Sequence, residues 1–191
     1  NPQRESLSFY GQTTYPISQT LRLITGLRYT KDEVESTVSN FFDPTSSFIN
    51  PKTEDLTGRV AIEWDAGDDT MTYVSYTRGL KPGGSNLTFS EGDEALVRAA
   101  FEDETIDAYE IGLKTEFMNS RVRTNVAAFY YDYTNLQFQA SDFNEFGSGV
   151  SNLPASEIYG VELEMTALMG DSFSLDVKLA SIASDVSADY L

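Results

Sequence analysis

The stretch "TIDAYEIGLKTEF" (Thr105–Phe117) decides the fold. Taken two residues at a time, Tyr109, Ile111, Leu113, Thr115 and Phe117 fall on one side, and Glu110, Gly112, Lys114 and Glu116 on the other. A period of two is the mark of a strand whose faces meet different surroundings.

The alternation repeats along the chain. "ESLSFYGQTTY" (Glu5–Tyr15) sets Leu7, Phe9, Gly11, Thr13 and Tyr15 against Ser8, Tyr10, Gln12 and Thr14. "TLRLITGLRYTKDEVESTV" (Thr20–Val38) sets Leu21, Leu23, Thr25, Leu27 and Tyr29 against Arg22, Gly26, Arg28 and Thr30, with Ile24 out of pattern. "DLTGRVAIEWDA" (Asp55–Ala66) sets Leu56, Gly58, Val60, Ile62 and Trp64 against Thr57, Arg59, Ala61, Glu63 and Asp65. "TMTYVSYTRG" (Thr70–Gly79) is rich in strand formers, but its faces are mixed. "RVRTNVAAFYYDYTNLQFQA" (Arg121–Ala140), "EIYGVELEMTAL" (Glu157–Leu168) and "FSLDVKLA" (Phe173–Ala180) complete the set. The count is eight strands. The one helix candidate is "EGDEALVRAAFEDE" (Glu91–Glu104), inside the longest loop.

The connections alternate. "PISQ", "AGDD", "MNS" and "MGDS" are short turns, whereas the loops up to Glu54, over Leu80–Glu104 and up to Ser156 are long. Short turns at one end and long loops at the other are the pattern of an outer-membrane barrel. "GRVAIEW", "IGLKTEF" and "GVELEM" also form a loose hairpin repeat, each running from a glycine to a Glu and a large apolar residue. Aromatic residues stand toward the strand ends at Tyr15, Tyr29, Trp64, Tyr76, Tyr109, Phe117, Tyr133 and Tyr159, as interfacial girdles do. The strands are longer than the five or six residues usual in soluble sheets. The fold class is therefore all-β, an antiparallel transmembrane barrel segment of about eight up-and-down strands.

Composition excludes much chemistry. The 191 residues carry a net charge of −17, against a nucleic-acid partner. There is no cysteine and no histidine, so disulfides, thiol catalysis, Ser–His–Asp triads and Cys- or His-ligated metals are ruled out. The longest apolar run, "VAAFYY" (Val126–Tyr131), is far short of the roughly twenty residues of a membrane helix. "NPQRESLSFY" at the start has no signal-peptide pattern. "YTRGLKPGGSN" (Tyr76–Asn86) is not a phosphate loop, because its lysine precedes the glycine pair and no helix follows. It reads as a strand leaving the outer leaflet, with Tyr73 or Tyr76 at the interface and Arg78 and Lys81 near the headgroups.

The segments "YVSYTRGLKPGGSN", "ETIDAYEIGLKTEF", "VRTNVAAFYYDYTNLQ" and "IYGVELEM", in this order, resemble consecutive parts of TonB-dependent receptor barrels. The resemblance runs from about Leu7 to Asp189. It implies a larger barrel of the 22-stranded type, a plug domain within it, and TonB-driven import of a scarce small-molecule nutrient of the iron–siderophore, vitamin B12 or glycan class. It also implies the outer membrane of a Gram-negative bacterium, with lipid and lipopolysaccharide as neighbours. Residues 1–191 read as an internal piece of such a barrel domain, with no plug, no TonB box and no terminal aromatic residue. The alternatives are a self-contained eight-stranded barrel with a structural or adhesive role, and a soluble all-β binding module.

No catalytic residues, cofactor or metal ligands are expected, and the chain is not read as an enzyme. The acidic runs Asp65–Asp69, Glu91–Glu94 and Glu102–Glu104 lack calcium-loop spacing and read as solvated charge. Glu162 and Glu164 lie on one strand face about 7 Å apart. A glycosidase pair can have that separation, but here the two read as lumen charges. The lumen set is Arg22, Arg28, Arg59, Glu63, Glu110, Lys114, Glu162, Glu164 and Lys178, expected to pair between strands. Arg59 with Glu63 and Glu110 with Lys114 stand as charged couples along their strands. The loop aromatics Phe41, Phe42, Phe48, Phe89, Phe101, Phe143 and Phe146 are the candidates for substrate capture, or else for packing of loop on loop.

Overall fold

The computed structural model describes residues 3–38, 47–49, 51–86, 100–140, 149–170 and 172–186. Its strands are β1 (Gln3–Pro16), β2 (Leu21–Val38), β3 (Ser47–Ile49), β4 (Lys52–Gly67), β5 (Thr70–Lys81), β6 (Gly84–Ser85), β7 (Ala100–Phe101), β8 (Glu104–Phe117), β9 (Val122–Ala140), β10 (Gly149–Met169) and β11 (Phe173–Val186). The eight long strands make one antiparallel sheet in the order β1-β2-β4-β5-β8-β9-β10-β11, in which chain neighbours are sheet neighbours. The short β3 adds to the end of β2, and β6 pairs with β7. The sheet is open, because β1 and β11 do not pair with each other.

The sequence places all eight long strands correctly and misjudges several ends. Of the helix candidate, Ala100–Phe101 is strand β7 and Glu104 opens β8; residues 91–99 lie outside the described residues. The loop expected up to Ser156 is strand from Gly149 onward. Pro154 conceals this in the sequence, because it has no N–H for a ladder. It faces Asn135, whose φ of 56° is left-handed, and the register steps past both residues.

Register gives each face its character. One row across the sheet runs Thr13, Thr25, Val60, Tyr76, Tyr109, Tyr130, Tyr159, Ala183. The next row runs Tyr15, Leu23, Ile62, Val74, Ile111, Ala128, Val161, Ser181. Among the described residues nothing packs on this apolar face. Trp64 is 52% exposed, Ile111 60% and Leu179 64%, whereas the one buried hydrophobic residue among those described, Ala61, lies on the opposite face. A water-soluble sheet buries its apolar face against a second layer. This sheet does the reverse, as a barrel wall facing lipid does.

The turns step along the sheet. From the row of Thr25 down to the last paired position of each hairpin is three residues to Arg22, six from Tyr76 to Thr70, eight from Tyr130 to Val122 and ten from Ala183 to Phe173. The stagger is seven residues over six strand spacings, or about 23 Å along the strands for about 29 Å across them. With the short turns at one level, the strands tilt by roughly 40°, inside the range for spanning barrels.

That tilt fixes heights. Each residue then climbs about 2.5 Å. Asp107 and Asp132 stand ten residues above their turns, and Glu157 and Asp185 twelve, so this row of the apolar face begins about 25–30 Å up. Membrane barrels carry an apolar band about 25 Å tall. Below the acids sit the tyrosines, with Tyr76 and Tyr109 ring centroids 5.2 Å apart and Tyr109 and Tyr130 6.3 Å apart. The Tyr76 hydroxyl donates to Asp107 Oδ1 at 2.6 Å, and Arg78 Nη1 lies 3.2 Å from Asp107 Oδ2. Tyr133 departs from the girdle expectation, since it shares the polar face with Tyr131 while Tyr130 takes the outward place.

Candidate functional site: the polar face and its upper rim

All nine charged residues singled out in the sequence fall on the polar face, and two couples, Arg22 with Glu63 and Glu164 with Lys178, are register partners. Their pairing differs from what spacing along a strand suggests. Arg22 on β2 bridges to Glu63 on β4 at 3.2 Å and donates to both oxygens of Asp65, at 2.5 and 2.9 Å. Glu63 is thus taken by a neighbouring strand rather than by Arg59. Lys178 on β11 meets Glu164 on β10 at 2.7 Å. Glu110 accepts the Tyr73 hydroxyl at 2.6 Å, and Lys114 Nζ stands 5.5 Å from the centre of the Tyr73 ring. Arg28 donates to Ser8 at 3.0 Å and Thr30 at 3.2 Å. Among the described residues no carboxylate reaches Arg28, Arg59 or Lys114, and no cation reaches Glu162.

The middle of this face holds aromatic rings over small residues. A Cβ on Gly112 would come within 2.4 Å of the Tyr73 ring, so Tyr73 lies where that side chain would be. A Cβ on Gly160 would come within 2.9 Å of Phe129. Phe129 stacks on Tyr131 with centroids 4.7 Å apart. The sequence conceals Tyr73 because "TMTYVSYTRG" puts one tyrosine on each face; register resolves it, with Tyr76 outward and Tyr73 on the polar side. Among the described residues no group of carboxylates is placed to hold a metal ion.

At the upper end, above the long strands, two ladders of charge and amide fix the rim. On the β1–β4 side, Asp32 is almost fully buried and accepts Arg4, with Nε to Oδ2 at 2.8 Å. The carboxylate raises the Arg4 pKa further. Glu33 lies 3.3 Å from both Lys52 and Lys31, and these two ammonium groups hold it below the usual carboxylate range.

On the β8–β10 side the ties are carboxamides. Asn152 accepts from the Glu102 N–H at 2.8 Å and donates to the Glu102 carbonyl at 3.1 Å. Asn86 does the same to Val150, at 2.8 Å each way. Gln137 Nε2 reaches the carbonyls of Lys81, Pro82 and Glu102. None of these residues was singled out in the sequence, because a single carboxamide at a strand end or just beyond it carries no periodic signal.

Of the loop aromatics, Phe101 is half-buried and its ring covers Gly84, where a Cβ would come within 2.6 Å. It also lines a cleft of about 710 Å³ with Lys52, Glu102, Asp103 and Asn135. Phe48 falls in β3, with its side chain outside the described residues. Phe41, Phe42, Phe89, Phe143 and Phe146 lie outside the described residues as well.

Comparison with known proteins agrees with this architecture. The family model for the TonB dependent receptor-like β-barrel matches residues 1–190. The pesticin receptor of Yersinia enterocolitica is 23% identical over 187 residues, which is 97% of this chain and 27% of that protein. The ferric yersiniabactin uptake receptor FyuA of Yersinia pestis superposes with a TM-score of 0.80 at 23% identity, over 98% of this chain and 28% of that one. The siderophore receptor PiuA of Acinetobacter baumannii gives a TM-score of 0.76 at 21% identity, over 97% of this chain and 26% of that one. The chain thus spans about a quarter of the length of the proteins it matches. With the tilted, inside-out sheet and a match over nearly every residue, the chain belongs to the TonB-dependent receptor family, as a segment of its barrel.

Proposed function

We propose that this segment is part of the wall of an outer-membrane receptor that imports a scarce nutrient, in the first instance ferric iron held by a siderophore, with energy delivered through TonB. The observation that carries the reading is the inverted sheet: an exposed apolar face below an acidic row, backed by a face of charge and aromatic rings. A wall built this way puts its polar face toward a lumen. The nine polar-face charges then line that lumen. Among the described residues Arg28, Arg59 and Lys114 have no carboxylate to neutralise them there, and they face a plug domain or a passing anionic ligand. The family points to transport rather than catalysis. The iron–siderophore class is supported by the relatives, a ferric yersiniabactin uptake receptor and a siderophore receptor among them.

The test is deletion of the full gene in its host. Growth under iron chelation and uptake of radioactive ferric iron from the host's own spent medium should both fall, and the intact gene should restore them. Uptake that is unchanged in the deletion strain, with no rival receptor induced, counts against the iron reading. Recovery of the protein from the cytosol counts against the membrane reading.

A further inference from the structure

The connection between β5 and β8 leaves the sheet at "KPGGSN" (Lys81–Asn86) and returns at Ala100–Glu104. The glycine pair reads as the point where the ladder ends and the chain is released upward. In the structure it is tied down. Gly84 and Ser85 pair with Phe101 and Ala100. A Cβ on Gly83 would come within 2.4 Å of the Phe101 carbonyl oxygen, so only glycine permits this approach.

The ties reach sideways across the sheet. One oxygen of Asp103, Oδ1, accepts from the Gly83 N–H at 2.6 Å and from the Thr53 hydroxyl at 2.5 Å. Thr53 belongs to β4, on the near side, and is buried on the polar face. On the far side, Asn152 holds both main-chain groups of Glu102, and Asn86 holds both of Val150. The two ends of the connection therefore lie across the polar face from β4 to β10. Thr53 and Asn86 are buried, and buried polar atoms with their partners in place are costly to separate, since each broken bond strands a desolvated group; the bonds between Asn152 and Glu102 are exposed and add less.

We propose that Lys81–Asn86 with Ala100–Glu104 is a fixed inward strap, a permanent part of the lumen mouth past which the ligand moves, and that Asp103, Asn86 and Asn152 are its positioning residues. The proposal rests on the transport reading for its purpose but not for its geometry. A lid has to be released, and releasing this strap opens at least five hydrogen bonds to β4 and β10 at once. The strap holds through neutral amides, so neither salt nor acidity loosens its far end.

The test uses the full-length receptor in outer membranes. Thr53→Cys with Asp103→Cys places two thiols at a contact now made by their side chains, in a segment that has no other cysteine. Under mild oxidation without ligand, most of the receptor should acquire the cross-link, read by mass spectrometry. Uptake of radioactive ferric iron from iron-starved host medium should be equal in the oxidised and reduced forms. Absence of the cross-link overturns the strap. Uptake that is lost on oxidation and regained on reduction shows a moving lid, and overturns it equally.

If the double variant fails to assemble, hydrogen exchange on the unmodified receptor decides. The amides of Gly83, Glu102 and Val150 should exchange at least about 100-fold more slowly than in an unstructured peptide, and exchange at the peptide rate overturns the proposal. Iron uptake absent from the wild type as well defeats the transport reading, while the cross-link yield still judges the strap.

Discussion

The ring of Tyr73 on β5 fills the space that a side chain on its register partner, Gly112 of β8, would need. Two other cross-strand pairs repeat the arrangement: Phe129 over Gly160, and Leu27 over Gly58, where a Cβ would meet Leu27 Cδ2 at 3.0 Å. In each case the glycine opens a descending strand's repeat and its cover comes from the ascending strand before it. This is aromatic or aliphatic rescue of a sheet glycine. Gly112→Ala should evict the Tyr73 ring, break its bond to Glu110 and cost about 1–3 kcal/mol, the usual range for overpacking. Thermal unfolding of the full receptor in detergent measures it. Gly67→Ala, at the turn between β4 and β5 where nothing lies within 4 Å, is the control and should be close to neutral.

The apolar face should refuse charge by depth. Ile111 stands six residues above the end of its hairpin, near the middle of the band, and is exposed. Ile111→Arg should cost about 2–4 kcal/mol, whereas Asp132→Arg, exposed and about 25 Å up, should cost about 0–1. The fraction of folded barrel resisting SDS without heating reads both. Equal effects at the two positions would contradict the height assignment.

On the polar face, Arg22 and Arg59 should behave differently although both are arginines on a wet wall. Arg22→Gln leaves Glu63 and Asp65 side by side without their cation. Arg59→Gln removes a charge that has no carboxylate partner among the described residues. The first should lower the unfolding temperature, and more so at low salt, because screening replaces the lost cation. The second should leave stability unchanged.

The two sides of the rim should answer acidity differently. Lys52 first, then Lys31, lower the pKa of Glu33. Its contribution is therefore complete above the ordinary glutamate range and disappears as the pH falls through the depressed value, below that range. The Val34 amide, bonded to the Pro51 carbonyl beside it, should lose exchange protection over that window. Glu33→Gln should abolish the pH dependence. The Glu102 and Val150 amides should keep their protection throughout.

Much of this was readable in the sequence. Wherever one face meets water and the other does not, side chains alternate, and "IGLKTEF" and "GVELEM" show it plainly. The glycine repeat was visible too, but not its cause, since Tyr73 and Phe129 lie some forty and thirty residues away from the glycines they cover. A one-residue difference also lay hidden in it. Gly58 precedes its Glu by five residues, whereas Gly112 and Gly160 precede theirs by four. Because strand faces alternate, that residue places Gly58 on the apolar face and the other two on the polar face. Pairing between strands was expected, and Arg22 with Glu63 and Lys178 with Glu164 show it, but the couples read along one strand do not pair, for a related reason. Neighbours four apart on a strand lie about 13 Å apart, so Arg59 has no access to Glu63, while Arg22 faces Glu63 across the ladder. The rim network was illegible, because Asn86, Gln137 and Asn152 act at sequence distances that no local pattern encodes.

The carboxamide ties have a consequence for descent. Gln137 and Asn152 hold the strap almost entirely by its main chain, at the carbonyls of Lys81 and Pro82 and at both peptide groups of Glu102. Main chain is common to all residues, so side chains on the strap can drift while the fastening persists. Gly83 and Gly84, pressed against Phe101, Asn86, whose carboxamide ties Val150, and Asp103, joined to Thr53, are held more closely to one identity. Such a mouth can change what it displays to the outside world from one lineage to the next without rebuilding the frame that displays it.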